Sequence, residues 1–138
     1  MKILVVDDDS SICRLIELML TKNYPQAHVK TTFNGAHAIE MIYEEIFIPD
    51  IVICDFKMPE LNGIQTAAWI KNWAHSKNKA IAFLLVSSSY NPQNDAFAYI
   101  DDFMKKPFHF NTLIHKTNYL KTQAANHLSK RTETAPCL

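Results

Sequence analysis

Glycine is nearly missing: Gly35 and Gly63 are the only two in 138 residues. Neither lies just after the first apolar run, so no Gly-rich turn can cradle a phosphate there. The basis for dinucleotide binding or a P-loop is therefore lacking. The three cysteines, Cys13, Cys54 and Cys137, are an odd number without metal-ligand spacing. Cys13 and Cys54 fall within periodic apolar segments, which favours buried, reduced thiols over disulfides. Net charge is missing as well, since 14 Lys and Arg balance 14 Asp and Glu. A neutral chain has no electrostatic footprint for direct nucleic-acid contact or an anionic membrane, so functional charge must be local. The apolar run after Met1-Lys2 is too short for a signal sequence and is followed by three acids. No stretch approaches a transmembrane span. A cytoplasmic protein is expected, without internal repeats, low-complexity tracts or linkers. The length suits one domain with a real core.

What is present is an alternation of short apolar runs and amphipathic stretches. Ile3-Val6 and Ile51-Cys54 are continuous apolar runs, as expected of strands buried on both faces. Ile81-Val86 is the longest and is expected at or near the sheet centre. His28-Phe33 alternates, with Val29, Thr31 and Phe33 on one face, and Lys30 between them suits an edge strand. Asp102-Lys105 reads as a further short strand. Between the strands, Ile12, Leu15, Ile16, Met19 and Leu20 form one helical stripe, which Ser10 or Ser11 can cap. Ile39, Ile42, Tyr43, Ile46 and Phe47 form a second stripe, broken at Pro49-Asp50. Ile64 to Ala74 is helical, with Ala67, Ile70 and Ala74 inward. Pro92 to Ile100 reads as a short, weak helix. From Phe110 onward Leu113, Thr117, Leu120, Ala124 and Leu128 are in register. Residues Arg131 to Leu138 are polar and expected to fray. Five βα units without long loops predict a doubly wound parallel sheet.

Three positions stand out in that frame: Asp7-Asp8, Asp55 and Lys106-Pro107. Each lies at or just after the end of an apolar run. Ionised carboxylates are costly there unless something neutralises them. In one parallel sheet these ends converge on a single rim, where open α/β sheets place ligands. Three carboxylates beside an ammonium suit a divalent cation and a phosphoryl group.

The blocks Ile3-Leu4-Val5-Val6-Asp7-Asp8-Asp9, Asp55-Phe56-Lys57-Met58-Pro59-Glu60-Leu61-Asn62-Gly63, Val86-Ser87-Ser88 and Lys106-Pro107-Phe108 occur in an order and spacing that resembles the receiver domain of bacterial two-component response regulators. The resemblance covers residues 2 to 122, and a receiver domain is expected over 1–123, with 124–138 as the end of the last helix and a polar tail. It implies a five-stranded sheet in the flavodoxin-like order 2-1-3-4-5. Asp55 would be the phosphoacceptor, attacking a phosphohistidine on a histidine kinase or histidine phosphotransfer protein. Asp7, Asp8, Asp55 and the backbone carbonyl of Lys57 would hold Mg²⁺. Lys106 would pair with Asp55 at rest and with the phosphoryl group afterwards. The Ser87 hydroxyl would donate to a phosphoryl oxygen, and Ser87 with Phe103 would form the switch. The Lys106-Pro107 bond would be cis. The resemblance further implies a phosphorylation-controlled switch that catalyses only its own phosphorylation and dephosphorylation. It would be a stand-alone domain, a monomer or weak phosphorylation-dependent dimer, that docks a downstream protein of unknown identity or serves in a relay.

Plainer readings stand beside these. Asp9 is best read as a helix N-terminal acid, Ser87-Ser88-Ser89 alone as a strand-exit turn, and the six histidines and Lys105 as surface residues. Two readings stay open for Lys57: a counter-charge over the phosphoryl group that slows its loss, or a side chain in solvent. The chain also departs from the family pattern. The stretch from Ser87 to Lys106 is short, and Tyr99-Ile100 replaces the usual small pair, so a shortened fourth helix is expected. The switch aromatic, Phe103, has no hydroxyl. A phosphohydrolase with an aspartyl nucleophile would need a second acid at position 57, where Lys57 stands. A pseudo-receiver that binds without phosphotransfer would not need Asp8, Asp55 and Lys106 intact.

Overall fold

Burial from both sides accounts for the apolar runs. The computed structural model describes the backbone of residues 1–134 and the side chains of residues 1–126. Its five strands are β1 (Lys2–Val6), β2 (His28–Thr32), β3 (Ile51–Asp55), β4 (Ala82–Ser87) and β5 (Asp102–Lys105). All pairings are parallel, in the order β2-β1-β3-β4-β5. The helices are α1 (Ser10–Asn23), α2 (Gly35–Tyr43), α3 (Gly63–Ser76) and α4 (Phe110–Thr134). Side chains alternate across the sheet. Leu4, Val6, Val52, Cys54, Phe83 and Leu85 meet Ala38, Met41 and Ile42 of α2 and Ala67, Ile70 and Ala74 of α3. Ile3, Val5, Ile51, Ile53, Leu84 and Val86 meet Cys13, Ile16 and Leu20 of α1 and Leu113 and Leu120 of α4. Each fully buried Val, Leu, Ile or Phe among them contributes about 1.5–3 kcal/mol. Among the described residues no helix is long and apolar enough to cross a membrane.

The strand register sets the rim. Val6, Cys54, Leu85 and Phe103 lie in one row across β1, β3, β4 and β5. Asp7 and Asp55 are each the next residue along, and Ser87 and Lys106 follow within three residues. Four strands thus deliver their terminal polar residues to one edge.

The doubly wound sheet and its order match the sequence reading, but several local expectations change. The N-cap of α1 is Asp9, whose side chain accepts from the Ser11 and Ile12 amides, so Ser10 and Ser11 lie inside the helix. An ionised acid is at least as good a cap as serine and also opposes the helix dipole. Leu15, expected inward, is exposed, and Cys13 takes the inner position. In α2 the stripe stops early: Glu45 turns left-handed at φ 57°. The Ile46 and Phe47 amides then fold back onto the Met41 carbonyl. Phe47 is buried, whereas Tyr43 and Ile46 are 68% and 60% exposed. On β2, Phe33 is 51% exposed and Thr32 is buried instead. Phe33 lies past the strand end, while Thr32 is bonded to His37 in the first turn of α2. The weak fourth helix is a 3₁₀ segment, Asn94–Ala98. The last helix extends to Thr134, past the expected fraying point. Leu128, Cys137 and the polar tail from 135 lie outside the residues whose side chains are described. Cys13 and Cys54 are buried free thiols, as expected.

Helix α3 is docked against the acid-bearing end of β3 through Gly63. Its N-terminus carries a reciprocal cap, in which Asn62 and Gln65 satisfy each other's amides at 2.9 and 2.8 Å. A Cβ on Gly63 would lie 2.5 Å from Leu85 Cδ1 and 2.6 Å from the Asp55 carbonyl oxygen. The leucine can shift, but the strand carbonyl cannot. Gly63→Ala is expected to cost about 1–3 kcal/mol, as overpacking does. Urea denaturation measures this, and an unchanged midpoint would contradict the close approach.

Candidate phosphoryl-acceptor site

The rim brings together most of the residues singled out in the sequence. Asp7 and Asp55 are buried, 3% and 9% exposed, whereas Asp8 faces water. One oxygen from each of Asp7, Asp8 and Asp55 lies within 4.8 Å of the others. Such acids repel and need a cation. Lys106 supplies part of that charge: its ammonium donates to Asp7 Oδ2 at 2.8 Å and to Asp55 Oδ1 at 3.2 Å. The lysine amide donates to the Ser87 carbonyl at 2.8 Å, and the Lys106-Pro107 bond is cis.

Lys106 pairs with Asp55, as the sequence reading expects, and has in Asp7 a second and nearer partner. Asp7 is the first residue past β1, and its own amide donates to the Thr32 carbonyl at 3.1 Å, which prolongs the ladder by one bond. Its Oδ1 accepts the Asp9 amide at 2.9 Å. Both Asp7 oxygens are therefore engaged. By contrast, among the described residues nothing donates to Asp55 Oδ2, to either oxygen of Asp8 or to the Lys57 carbonyl. Those are hard oxygen donors of the kind Mg²⁺ takes, and the ion commonly keeps several waters besides. The residues fit such an ion.

The cluster perturbs its members. Burial, then Asp7, raises the Asp55 pKa above its ordinary 3.8, and Lys106 only partly opposes this. Burial alone would lower Lys106, but its hydrogen bond to Asp7 and the charges of Asp7 and Asp55 outweigh that, and its pKa rises above 10.5. Beneath the site, burial pushes the Cys13 thiol up to about 11 and Cys54 well above its usual value. Both are protonated at neutral pH; Cys13 donates to the Asp7 carbonyl at 3.3 Å and Cys54 to the Asp55 carbonyl at 3.2 Å.

A cleft of about 480 Å³ opens over the acids, lined by Asp8, Asp55, Lys57, Met58, Pro59, Ser87, Ser88 and Lys106. Ser87 ends β4 and its hydroxyl accepts the Tyr90 amide at 2.9 Å and the Ser89 amide at 3.3 Å. Phe103 is half-buried against the α2/α3-side core. Lys57 is exposed at the cleft wall. One contact near the site was not anticipated: the rings of Phe56 and Tyr90 stack at 3.9 Å and 7°. The only sequence signal for it is an aromatic directly after Asp55 and another three residues after Ser87.

Comparison with known proteins bears on the family and the fold. The family model described as the response regulator receiver domain matches residues 3–118. The transcriptional regulatory protein ZraR of Klebsiella oxytoca is 34% identical over 116 residues, which are 80% of this chain and 24% of ZraR. The cell cycle transcriptional regulator CtrA of Caulobacter vibrioides is 28% identical over 128 residues, 92% of this chain and 53% of CtrA. The chain thus spans about a quarter to a half of these relatives. A CheY-like receiver domain from Methanospirillum hungatei superimposes with a TM-score of 0.76 at 23% identity, covering 91% of this chain and 97% of that one. The response regulator TrrA of Thermotoga maritima, solved in complex with Mg²⁺-BeF, gives 0.74 at 26% identity, covering 86% and 97%.

Since the Asp55 pKa is raised on folding, the folded chain binds more protons than the unfolded one between 3.8 and the raised value. Stability therefore falls as pH rises through that window, and the full penalty persists above it. Asp55→Asn should raise the melting temperature at pH 7 by a few degrees, roughly 1 kcal/mol or less because the site is half open to water. The gain should shrink as pH falls through the window. Thermal melts at pH 7 and pH 4 check this, and a destabilised variant at pH 7 would contradict it.

Proposed function

The chain belongs to the response regulator receiver domain family, and on that footing we propose that it accepts a phosphoryl group on Asp55 from phosphohistidine, with Mg²⁺ held at Asp8, Asp55 and the Lys57 carbonyl. The observation that carries this reading is the buried Asp55 carboxylate, one oxygen open to the cleft and the other on Lys106. A carboxylate oxygen attacks phosphorus, the P–N bond breaks, the leaving imidazole keeps the electron pair, and an acyl phosphate forms on Asp55. Lys106 moves from Asp55 Oδ1 to the incoming phosphoryl oxygens, exchanging one anion for another. The Ser87 hydroxyl donates a hydrogen bond to the same group and keeps its proton. The chemistry Mg²⁺ would supply at Asp8, Asp55 and the Lys57 carbonyl is neutralisation of charge on the phosphoryl oxygens and on the acids that flank them. Asp7, whose oxygens accept from Lys106 and the Asp9 amide, would hold a bound ion less directly than Asp8 and Asp55.

The donor is a histidine kinase or a histidine phosphotransfer protein, and the chain carries out no turnover beyond its own phosphorylation and dephosphorylation. A phosphohydrolase reading lacks the second acid, since Lys57 occupies that position.

Acetyl phosphate with Mg²⁺ tests the assignment by intact mass. Wild type should gain one phosphoryl group and Asp55→Asn none. Equal uptake by the variant would displace Asp55, and no uptake by wild type would leave a binding module. In parallel, 10 mM Mg²⁺ should stabilise wild type by about 1.4 kcal/mol if Kd is near 1 mM. Asp8→Ala should lose most of that gain in a thermal melt, and an undiminished gain would remove Asp8 from the ion site.

A further inference from the structure

The Ser87 hydroxyl is held in place by a residue that no reading so far uses. A hydroxyl has two acceptor lone pairs and one proton. At Ser87 both lone pairs receive amides, from Tyr90 at 2.9 Å and from Ser89 at 3.3 Å. The residue is 2% exposed and lines the cleft together with Asp55. Its proton is what remains to donate. Of the two amides, that of Tyr90 is the better placed, so the backbone position of Tyr90 sets the direction of the hydroxyl.

Nothing regular fixes that backbone. Residues 88–93 form no helix or strand, and the following 3₁₀ segment begins only at Asn94. What fixes Tyr90 is its ring, stacked on Phe56 at 3.9 Å and 7°. Phe56 is a rigid platform. It directly follows Asp55; its amide donates to the Val86 carbonyl at 2.9 Å, and its carbonyl accepts the Gly63 amide at 2.8 Å. A closed circuit results: Asp55 is bonded to Phe56, Phe56 stacks on Tyr90, Tyr90 donates to Ser87, and Val86, bonded to Ser87, holds Phe56. The Tyr90 hydroxyl bonds to none of the described residues, so the ring face is the part in use.

We infer that Tyr90 is a positioning residue for phosphoryl transfer, aiming the Ser87 proton at the group on Asp55 through its stack on Phe56. This rests on the assignment of Asp55 as phosphoacceptor. A fixed donor is worth more at the developing charge than one that must be oriented during the reaction. The aromatic pair ties the otherwise irregular loop after β4 to the loop that carries the acceptor.

The test is the rate of phosphoryl uptake from acetyl phosphate with Mg²⁺, read by intact mass, in a cycle with Ser87. Ser87→Ala should slow uptake roughly 10²-fold, as loss of one such donor does. Tyr90→Ala, which displaces the donor without deleting it, should slow it about tenfold. Tyr90→Phe should restore the wild-type rate, and Tyr90→Leu, which keeps apolar bulk without a flat ring and serves if the alanine variant fails to fold, should not. In the Ser87→Ala background neither Tyr90→Ala nor Tyr90→Leu should slow uptake further. A Tyr90→Leu rate equal to wild type, or an equal slowing with and without the Ser87 hydroxyl, overturns the inference while leaving Asp55 as the acceptor. Absence of uptake by wild type overturns both.

Discussion

One ammonium between two buried carboxylates governs this molecule. Lys106 bridges Asp7 and Asp55, and without it the ends of β1 and β3 would set two acids side by side in a largely apolar setting. Buried pairs of this kind add little net stability, but removing the shared ammonium leaves both carboxylates uncompensated, whereas removing Asp55 still leaves Lys106 on Asp7. The raised Lys106 pKa states the same linkage. The pairing contributes fully below the ordinary lysine value and is lost only as pH rises through the higher folded value. The same ammonium makes the site switchable, because it can leave one anion for another without leaving the cleft.

The sheet exists to bring those groups together. Four strand ends meet at one rim because the strands are parallel and in matched register. Parallel strands demand helices on both faces, and hence the uninterrupted apolar runs. Gly63 lets α3 approach the Asp55 carbonyl, and the buried thiols of Cys13 and Cys54 donate to the carbonyls of the two buried acids. Packing and site therefore share the same backbone atoms.

Much of this could be read from sequence because it depends on period and order. The apolar runs ending in Asp7, Asp55 and Ser87 mark both the strands and the rim. What could not be read depends on direction in space. Adjacent Asp7 and Asp8 look alike in sequence, yet one points inward to Lys106 and the other to water. Asp9 caps α1 although two serines stood ready, because an acid at that point also opposes the helix dipole. The stripe from Ile39 to Phe47 keeps helical spacing, but Glu45 ends the helix by turning left-handed, a choice that periodicity does not register. Tyr90 and Phe56 lie 34 residues apart, and only the pairing of β3 with β4 brings them face to face.

Relatives such as ZraR and CtrA extend well past the length matched here, and the residues matched by the receiver-domain model hold the acid site of this chain. Its behaviour depends on whether Lys106 and a divalent cation serve the same acids. The direct measurement is the melting temperature of Lys106→Met with and without 10 mM Mg²⁺, set against wild type. Loss of the ammonium should destabilise the variant without Mg²⁺, and the rise on adding Mg²⁺ should exceed that of wild type, because the cation then meets acids that nothing else neutralises. A rise equal to or smaller than that of wild type would contradict the account.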